Sequence, residues 1–213
     1  MGPDIDKLFL EVAGRPVVAH TWQRFVQARE VEEIIVVVRE GMQSAFQELA
    51  AQYGFKKPFR LVSGGAERQD SVWNGLQALA AGAEIVAIQD GARPCTSAAL
   101  ITATIAAARE MGAAVVAQPV TDTIKESADG RLIGRTLDRS RLWAVQTPQT
   151  FRVEVIRRAL AAVREKGLQL TDDTAACELI GQPVRLVTGL APNPKVTVPG
   201  DLGYVEMLLR GMG

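Results

Sequence analysis

Short apolar runs rich in β-branched residues recur along the chain, and each predicts a buried β-strand. The clearest are residues 31–38 (VEEIIVVV) and 83–88 (AEIVAI), in which most neighbouring positions are apolar. This pattern is typical of strands that are covered on both faces. Residues 113–117 (AAVVA) and 184–187 (VRLV) predict two further strands.

Helical patterns separate these runs. The predicted helices span residues 15–27, 42–53, 70–80, 97–109 and 153–165. Thr96-Ser97 supplies an N-cap for the fourth of them, and Gly112 lies where that helix should end. Strands that alternate with helices indicate parallel βαβ units, so we expect an α/β fold with a Rossmann-like, doubly wound, mainly parallel sheet.

One segment, residues 120–143, breaks the alternation. It is rich in polar, β-branched and turn residues, and Asp129-Gly130 is a hairpin signal. We interpret the segment as a β-arm that protrudes from a single domain spanning residues 1–213. Because an isolated two-stranded ribbon is marginally stable in water, a second subunit is expected to cover the arm in a homodimer.

Composition narrows the class of protein. The 213 residues are 47% hydrophobic, and 24 basic residues balance 24 acidic ones. Without a net positive field or a basic run, nucleic acid is not an expected partner. No apolar stretch reaches the ~20 residues of a membrane span, and Cys95 and Cys177 lack the spacing of a zinc or redox motif. We therefore expect a protein of the reducing cytoplasm.

Several sequence blocks occur together in a fixed order. They are DKLFL from Asp6, GGAERQDSVWNGL from Gly64, DGARP from Asp90, PVTDTIK from Pro119, TLDRSRLWAVQTPQTF from Thr136, TDD from Thr171 and NPKVTVPGDL from Asn193. In order and spacing the chain resembles the 2-C-methyl-D-erythritol 4-phosphate cytidylyltransferases of isoprenoid biosynthesis. That resemblance implies a fold of the nucleotide-diphospho-sugar transferase type.

The chain departs from the family pattern at its start. The family begins with a strand and a Gly-rich phosphate loop that ends in Arg-Met-Gly, and Met1-Gly2 matches only the tail of that element. A first strand of ~5–6 residues would be missing, and in this fold it usually lies in the middle of the sheet. Our hypothesis is that the sequence is incomplete at its start, so the native protein should be heavier than 22.9 kDa.

The resemblance implies that CMP is transferred from CTP to 2-C-methyl-D-erythritol 4-phosphate, which gives 4-diphosphocytidyl-2-C-methyl-D-erythritol and pyrophosphate. A phosphate monoester, with a second pKa of ~6, needs no strong general base. His20, the only histidine, is accordingly assigned a structural role. A divalent cation, Mg²⁺, is expected to bridge the triphosphate oxygens, and no protein residue is assigned as its ligand.

Three cationic side chains are the expected catalytic residues, because phosphoryl-type transfer depends on positioning and electrostatic stabilisation. By resemblance, Lys7 stabilises the transition state and Lys195 places the acceptor phosphate near the α-phosphorus. Arg139 matches the arginine that grips the acceptor phosphate. Because Arg139 lies on the arm, it is a candidate to serve the partner subunit's site.

The remaining expected site residues line the two ligand pockets. By resemblance, the acceptor pocket uses Thr123, Thr147 and Thr171 besides Arg139 and Lys195, whereas CTP contacts Gly64, Gly65, Ser71, Asp90, Gly91 and Arg93. Asp90 ends a predicted strand at the carboxyl edge, where α/β sheets hold their ligands. The family usually has Ala at the position of Gly91.

Two other functions stay open at this point. A ribitol 5-phosphate cytidylyltransferase shares the fold and several blocks, although the segment Arg139 to Trp143 and the TDD from Thr171 favour the methylerythritol substrate. A non-catalytic, dimeric CTP-binding protein is the alternative from another class. The presence of Lys7, Arg139 and Lys195 argues against it.

Overall fold

A computed structural model describes residues 7–212 of the chain. The Met1-Gly2 element and Asp6 of the first block lie outside the described residues. The strands are β1 (Glu11–Val12), β2 (Arg15–Pro16), β3 (Ile34–Val38), β4 (Phe59–Ser63), β5 (Ile85–Ile88), β6 (Ala113–Pro119), β7 (Lys125–Glu126), β8 (Arg135–Thr136), β9 (Trp143–Arg152) and β10 (Arg185–Val187). The α-helices are α1 (Val17–Gln27), α2 (Gln43–Gln52), α3 (Arg68–Gln77), α4 (Ala98–Met111), α5 (Val153–Glu165), α6 (Asp173–Leu179) and α7 (Asp201–Arg210).

The sheet is mixed rather than wholly parallel. β3 pairs with β4 in parallel, and the larger sheet has the order β10-β6-β9-β5. β10 runs parallel to β6, whereas β9 is antiparallel to both β6 and β5. Among residues 7–212, β3 and β5 each have a strand partner on one side only. The α/β class predicted from the sequence is confirmed, with one antiparallel strand that the sequence did not reveal.

Helices α1 and α4 cover both parts of the sheet. Phe25 and Ala28 at the end of α1 form one buried cluster with Ile101 and Ile105 of α4, and Ile34, Val31, Ile85 and Ala87 pack against it. A common apolar layer therefore lies under β3 and β5.

Many of the fully buried residues lie in α5 and in the two central strands of the larger sheet, β6 and β9. Residues 113–117 of β6 are at most 1% exposed, and Phe151, Ile156, Ala159 and Val163 are fully buried. Full burial of side chains such as Phe151 and Ile156 contributes ~1.5–3 kcal/mol each. The predicted strand at 113–117 and the predicted helix at 153–165 are confirmed by this packing.

Local capping explains where two of the helices begin and end. The Ser97 hydroxyl accepts a hydrogen bond from Leu100 N, and Gly112 ends α4 with a left-handed φ of 88°. Both positions were predicted. Helix α3 begins before the predicted residue 70, because Glu67 and Asp70 form a capping box that starts the helix at Arg68.

The segment after β6 forms the predicted hairpin. β7 and β8 pair antiparallel, and Gly130 in the connecting turn has a φ of 69°. Leu132 and Ile133 near that turn are 75% and 67% exposed. The arm is therefore an exposed ribbon with apolar side chains at its tip.

Within residues 7–212, every helix is too short or too polar to traverse a lipid bilayer.

Candidate active site

An acidic side chain with two cationic partners lies at the carboxyl end of β5. Asp90 Oδ2 is 3.2 Å from Arg93 Nε and 3.1 Å from Lys195 Nζ. The exposed fractions of the side chains are 20% for Asp90, 10% for Arg93 and 41% for Lys195. Burial alone would raise the pKa of Asp90, but Lys195 and Arg93 outweigh burial and hold this pKa below its ordinary value. The carboxylate is therefore ionised at neutral pH.

Asn193 fixes the segment that carries Lys195. Its Oδ1 accepts a hydrogen bond from Thr96 Oγ1 at 3.0 Å, and its Nδ2 donates to the Thr147 carbonyl at 2.8 Å. Its own carbonyl accepts from Arg93 Nη1 at 2.7 Å. Asn193 is 3% exposed. A buried amide with all of these partners holds the loop rigidly, so Lys195 projects from a fixed base.

The turn that contains Lys7 packs beside this cluster. Residues Lys7–Phe9 form a short 3-10 turn, and Leu8 packs against the buried cluster that contains Ala92 and Val196. A Cβ at Gly91 would lie 3.3 Å from Leu8 Cδ2, so the turn and the loop are in close contact. The turn that carries Lys7 thus lies beside the loop that follows Asp90, through the contact of Leu8 with Gly91.

The Gly64-Gly65 turn stands next to the end of β3. Gly64 N donates to the Val38 carbonyl at 2.8 Å, and Gly65 N donates to Ser71 Oγ at 3.1 Å. A Cβ at Gly65 would lie only 2.3 Å from Asp70 Cβ. Glycine is therefore required by close packing at this position, and the turn presents backbone groups and the Ser71 hydroxyl in one place.

The three predicted threonines lie in different surroundings. Thr147 is 3% exposed, and its hydroxyl accepts a hydrogen bond from Asp90 N at 3.0 Å. Thr171 is exposed just before α6, whereas Thr123 is exposed on the arm. Only Thr147 is joined to the Asp90 cluster by a hydrogen bond in the described part of the chain.

Arg139 lies apart from the cluster within one chain. It begins a 3-10 turn on the arm, and its Nη1 donates to the Thr121 carbonyl at 2.6 Å. Among residues 7–212, no ion pair or hydrogen bond links Arg139 to Asp90 or Lys195. Within a single chain this guanidinium is therefore exposed at the base of the ribbon, beside the end of β6.

The sequence did not single out a second ion pair, which lies close to Thr171. Arg68 Nη1 and Nη2 donate to the two oxygens of Asp173 at 2.9 and 2.6 Å, and Asp173 is 1% exposed. Gln149, also buried, accepts from Asp173 N and donates to Asp172 Oδ2. These residues lie inside the quoted blocks, but each resembles an ordinary surface or strand residue until the fold brings them together.

The other titratable candidates have structural roles. His20 Nε2 donates to the Val12 carbonyl at 2.8 Å, and burial lowers the pKa of this imidazole. Cys95 and Cys177 are free and buried, and burial raises the pKa of their thiols to about 11 and about 12. In the described residues no three His, Cys, Asp or Glu side chains gather as a metal-binding cluster.

Comparisons with known proteins agree on one family. Residues 1–211 match the family model IspD, described as 2-C-methyl-D-erythritol 4-phosphate cytidylyltransferase. A protein of that name from Pelotomaculum thermopropionicum is 41% identical over 211 residues, which cover 99% of this chain and 89% of the relative.

Solved structures show the same likeness. The 4-diphosphocytidyl-2C-methyl-D-erythritol synthase of Anaerococcus prevotii has a TM-score of 0.87 and 30% identity, and the match covers 95% of this chain and 93% of that one. The 2-C-methyl-D-erythritol 4-phosphate cytidylyltransferase of Thermus thermophilus has a TM-score of 0.81 and 36% identity, with 96% and 94% covered.

Proposed function

The chain belongs to the 2-C-methyl-D-erythritol 4-phosphate cytidylyltransferase family, and we propose that the residues around Asp90 are the centre at which it carries out the family's reaction. CMP is transferred from CTP to 2-C-methyl-D-erythritol 4-phosphate, and pyrophosphate is released. The observation that carries the residue assignment is the ion pair of Lys195 with Asp90 at the carboxyl edge of the sheet, next to Thr147 and the Lys7 turn.

The chemistry needs no covalent enzyme intermediate. An oxygen of the acceptor phosphate attacks the α-phosphorus of CTP, the new P–O–P bond forms, and the bond to the β-phosphate oxygen breaks in line. Negative charge increases around the α-phosphorus and on the leaving pyrophosphate. Lys195 and Lys7 stabilise this charge, because cations fixed where negative charge develops in the transition state lower the barrier.

Arg93 and Asp90 set the position of Lys195 before the ligands bind. Asp90 holds the Lys195 amine by an ion pair, and buried Arg93 contacts the same carboxylate oxygen. Asp90 would be the carboxylate of this centre to contact Mg²⁺, which usually keeps several waters and takes one or two carboxylates besides phosphate oxygens. The cation, when bound, neutralises charge on the triphosphate.

We propose two pockets beside this centre. In this proposal Gly64, Gly65 and Ser71 contact the cytosine ring, while Thr147 and Thr171 contact the acceptor. We propose that Arg139 and Thr123 of one arm complete the partner subunit's site in a homodimer. The exposed arm, with its apolar tip, supports that proposal.

The two buried free cysteines support a cytoplasmic location.

Substrate choice is tested by pyrophosphate release from the full-length protein with CTP and Mg²⁺. The methylerythritol phosphate is expected to give a kcat/KM at least ~10-fold above that of ribitol 5-phosphate, a discrimination within reach of differences in pocket contacts. A preference for the ribitol substrate would overturn the substrate assignment. Binding of CTP without any pyrophosphate release from either acceptor would overturn the enzymatic function.

A further inference from the structure

The start of helix α3 makes contacts on both sides of Thr171. Arg68 forms the bidentate ion pair with Asp173, two residues after Thr171. Gln69 Nε2 donates to the Leu168 carbonyl at 3.0 Å, and Gln69 Oε1 accepts from Leu170 N at 3.1 Å. Two consecutive side chains thus hold the segment that carries Thr171 before and after this residue.

The same helix start belongs to the nucleotide pocket. Ser71 accepts the hydrogen bond from Gly65 N and donates to the Glu67 carbonyl at 3.2 Å. Arg68 and Gln69 lie between Glu67 and Ser71 in the first turn of α3. Any movement of the Gly64-Gly65 turn that shifts this first turn therefore also shifts the Thr171 segment.

The ion pair depends on both partners. Burial raises the pKa of Asp173, and Arg68 opposes that effect by supplying two hydrogen bonds and a positive charge. Because Asp173 is 1% exposed and Arg68 38% exposed, the carboxylate is fixed in the protein while the guanidinium reaches it from the rim. Loss of Arg68 would leave a buried charge without its cation, and such a charge displaces its segment or takes up a proton.

We propose that Arg68 and Gln69 are positioning residues that couple the nucleotide pocket to the acceptor pocket. This inference rests on the proposed function and adds a route between its two subsites. Binding of the cytosine ring fixes the position of the first turn of α3, and that turn holds Thr171 where the acceptor meets it. CTP and the polyol phosphate therefore each strengthen binding of the other, as reciprocal linkage requires.

The test measures this coupling directly in the full-length protein. The Kd of the unreactive analogue α,β-methylene-CTP is determined by calorimetry with and without saturating 2-C-methyl-D-erythritol 4-phosphate. Typical couplings between sites change affinity by about 5-fold or more, and that is the ratio expected for the wild type. For Arg68→Met and Gln69→Ala the ratio should fall towards about 1, with a higher KM for the acceptor and a nearly unchanged kcat.

Matched variants separate positioning from general stability. Arg60 forms an equally short bidentate pair with Glu33, at 2.6 and 2.8 Å, outside the site, so Arg60→Met should keep the wild-type coupling ratio and acceptor KM. Arg68→Lys retains the charge without the planar fork and should restore part of the coupling. The double variant Arg68→Met/Asp173→Asn also removes the buried charge that Arg68→Met leaves unpaired, so it should fold. It should still lack the coupling between CTP and the acceptor.

The possible results distinguish failure of this inference from failure of the proposed function. Turnover by the wild type, together with wild-type coupling and acceptor KM in Arg68→Met and Gln69→Ala, would overturn the inference and leave the proposed function intact. Restoration of full coupling by the double variant would also overturn it, because the pair would then only neutralise charge. Absence of turnover by the wild type would overturn the proposed function and the inference with it.

Discussion

Replacing Lys195 by alanine separates its proposed catalytic role from its part in folding. In the folded chain its amine lies 3.1 Å from Asp90, and 41% of the side chain is exposed. Ion pairs of exposed side chains stabilise proteins by only ~0–1 kcal/mol, and Asp90 retains Arg93 as a partner. The free energy of unfolding should therefore fall by less than ~1 kcal/mol, and Tm should fall by at most roughly 2–4 °C for a chain of this size.

The expected loss in catalysis is much larger. Removal of one fixed electrostatic contact to a transition state costs about 10²–10³ in kcat, or ~2.7–4 kcal/mol. The Asp90 and Arg93 geometry does not replace the missing amine, because Arg93 is buried and already donates to Asp90 and the Asn193 carbonyl. Lys195→Ala should thus lose at least ~10²-fold in kcat while it stays folded.

The assay compares pyrophosphate release and thermal unfolding of Lys195→Ala with those of Arg185→Ala. Arg185 is also 41% exposed and pairs with Glu110 at 2.6 Å on β10, away from the site, so this control should show a similar change in Tm and wild-type kcat. A kcat within a few-fold of wild type in Lys195→Ala would refute the assignment. A collapse in Tm would refute the claim that the pair contributes little to folding.

Gly65, Asp90 and the tip of the arm offer three further tests. Gly65→Ala places a Cβ 2.3 Å from Asp70 Cβ, so the KM for CTP should rise by at least ~10-fold in steady-state kinetics; an unchanged KM would contradict the turn's role. Burial raises the pKa of Asp90, but its two cationic neighbours hold it below the unfolded value. The stabilising contribution of Asp90 is therefore present above about pH 4 and is lost as the pH falls through the folded-state pKa. The free energies of unfolding of wild type and Asp90→Asn, measured in urea, should differ most near pH 7 and converge in acid. A difference that grows in acid would contradict the expected direction of this pH dependence. Because Leu132 and Ile133 are exposed at the arm tip, Leu132→Asp/Ile133→Asp should shift light scattering from dimer to monomer and lower activity, whereas a fully active monomer would contradict a shared site.

The sequence predicted best those elements whose signals are local. The β-branched run of β3 and the strand before Asp90 stand out because they are short, apolar and bounded by turns. β9 was not predicted, since its Thr, Gln and Pro residues show no strand pattern; its place is set by pairing with β5 on one side and β6 on the other. Tertiary pairing, and not propensity, decides such a strand.

The site was predicted unevenly for a similar reason. Asp90 follows a recognisable strand, and Lys195 lies in a block that resembles the family, so both were named from sequence. Asn193, between two prolines, has the pattern of a turn, and its role depends on partners far away in sequence. The Arg68–Asp173 pair joins residues 105 positions apart, and a single sequence contains no signal for such a distant contact.

The most direct test of the central claim is a crystal structure of the full-length protein with α,β-methylene-CTP and 2-C-methyl-D-erythritol 4-phosphate. We expect Nζ of Lys7 and Nζ of Lys195 to lie within about 4 Å of oxygens on the α-phosphate or the acceptor phosphate, with Arg139 of the partner subunit at the acceptor. Phosphates bound at a surface that neither lysine reaches would contradict it.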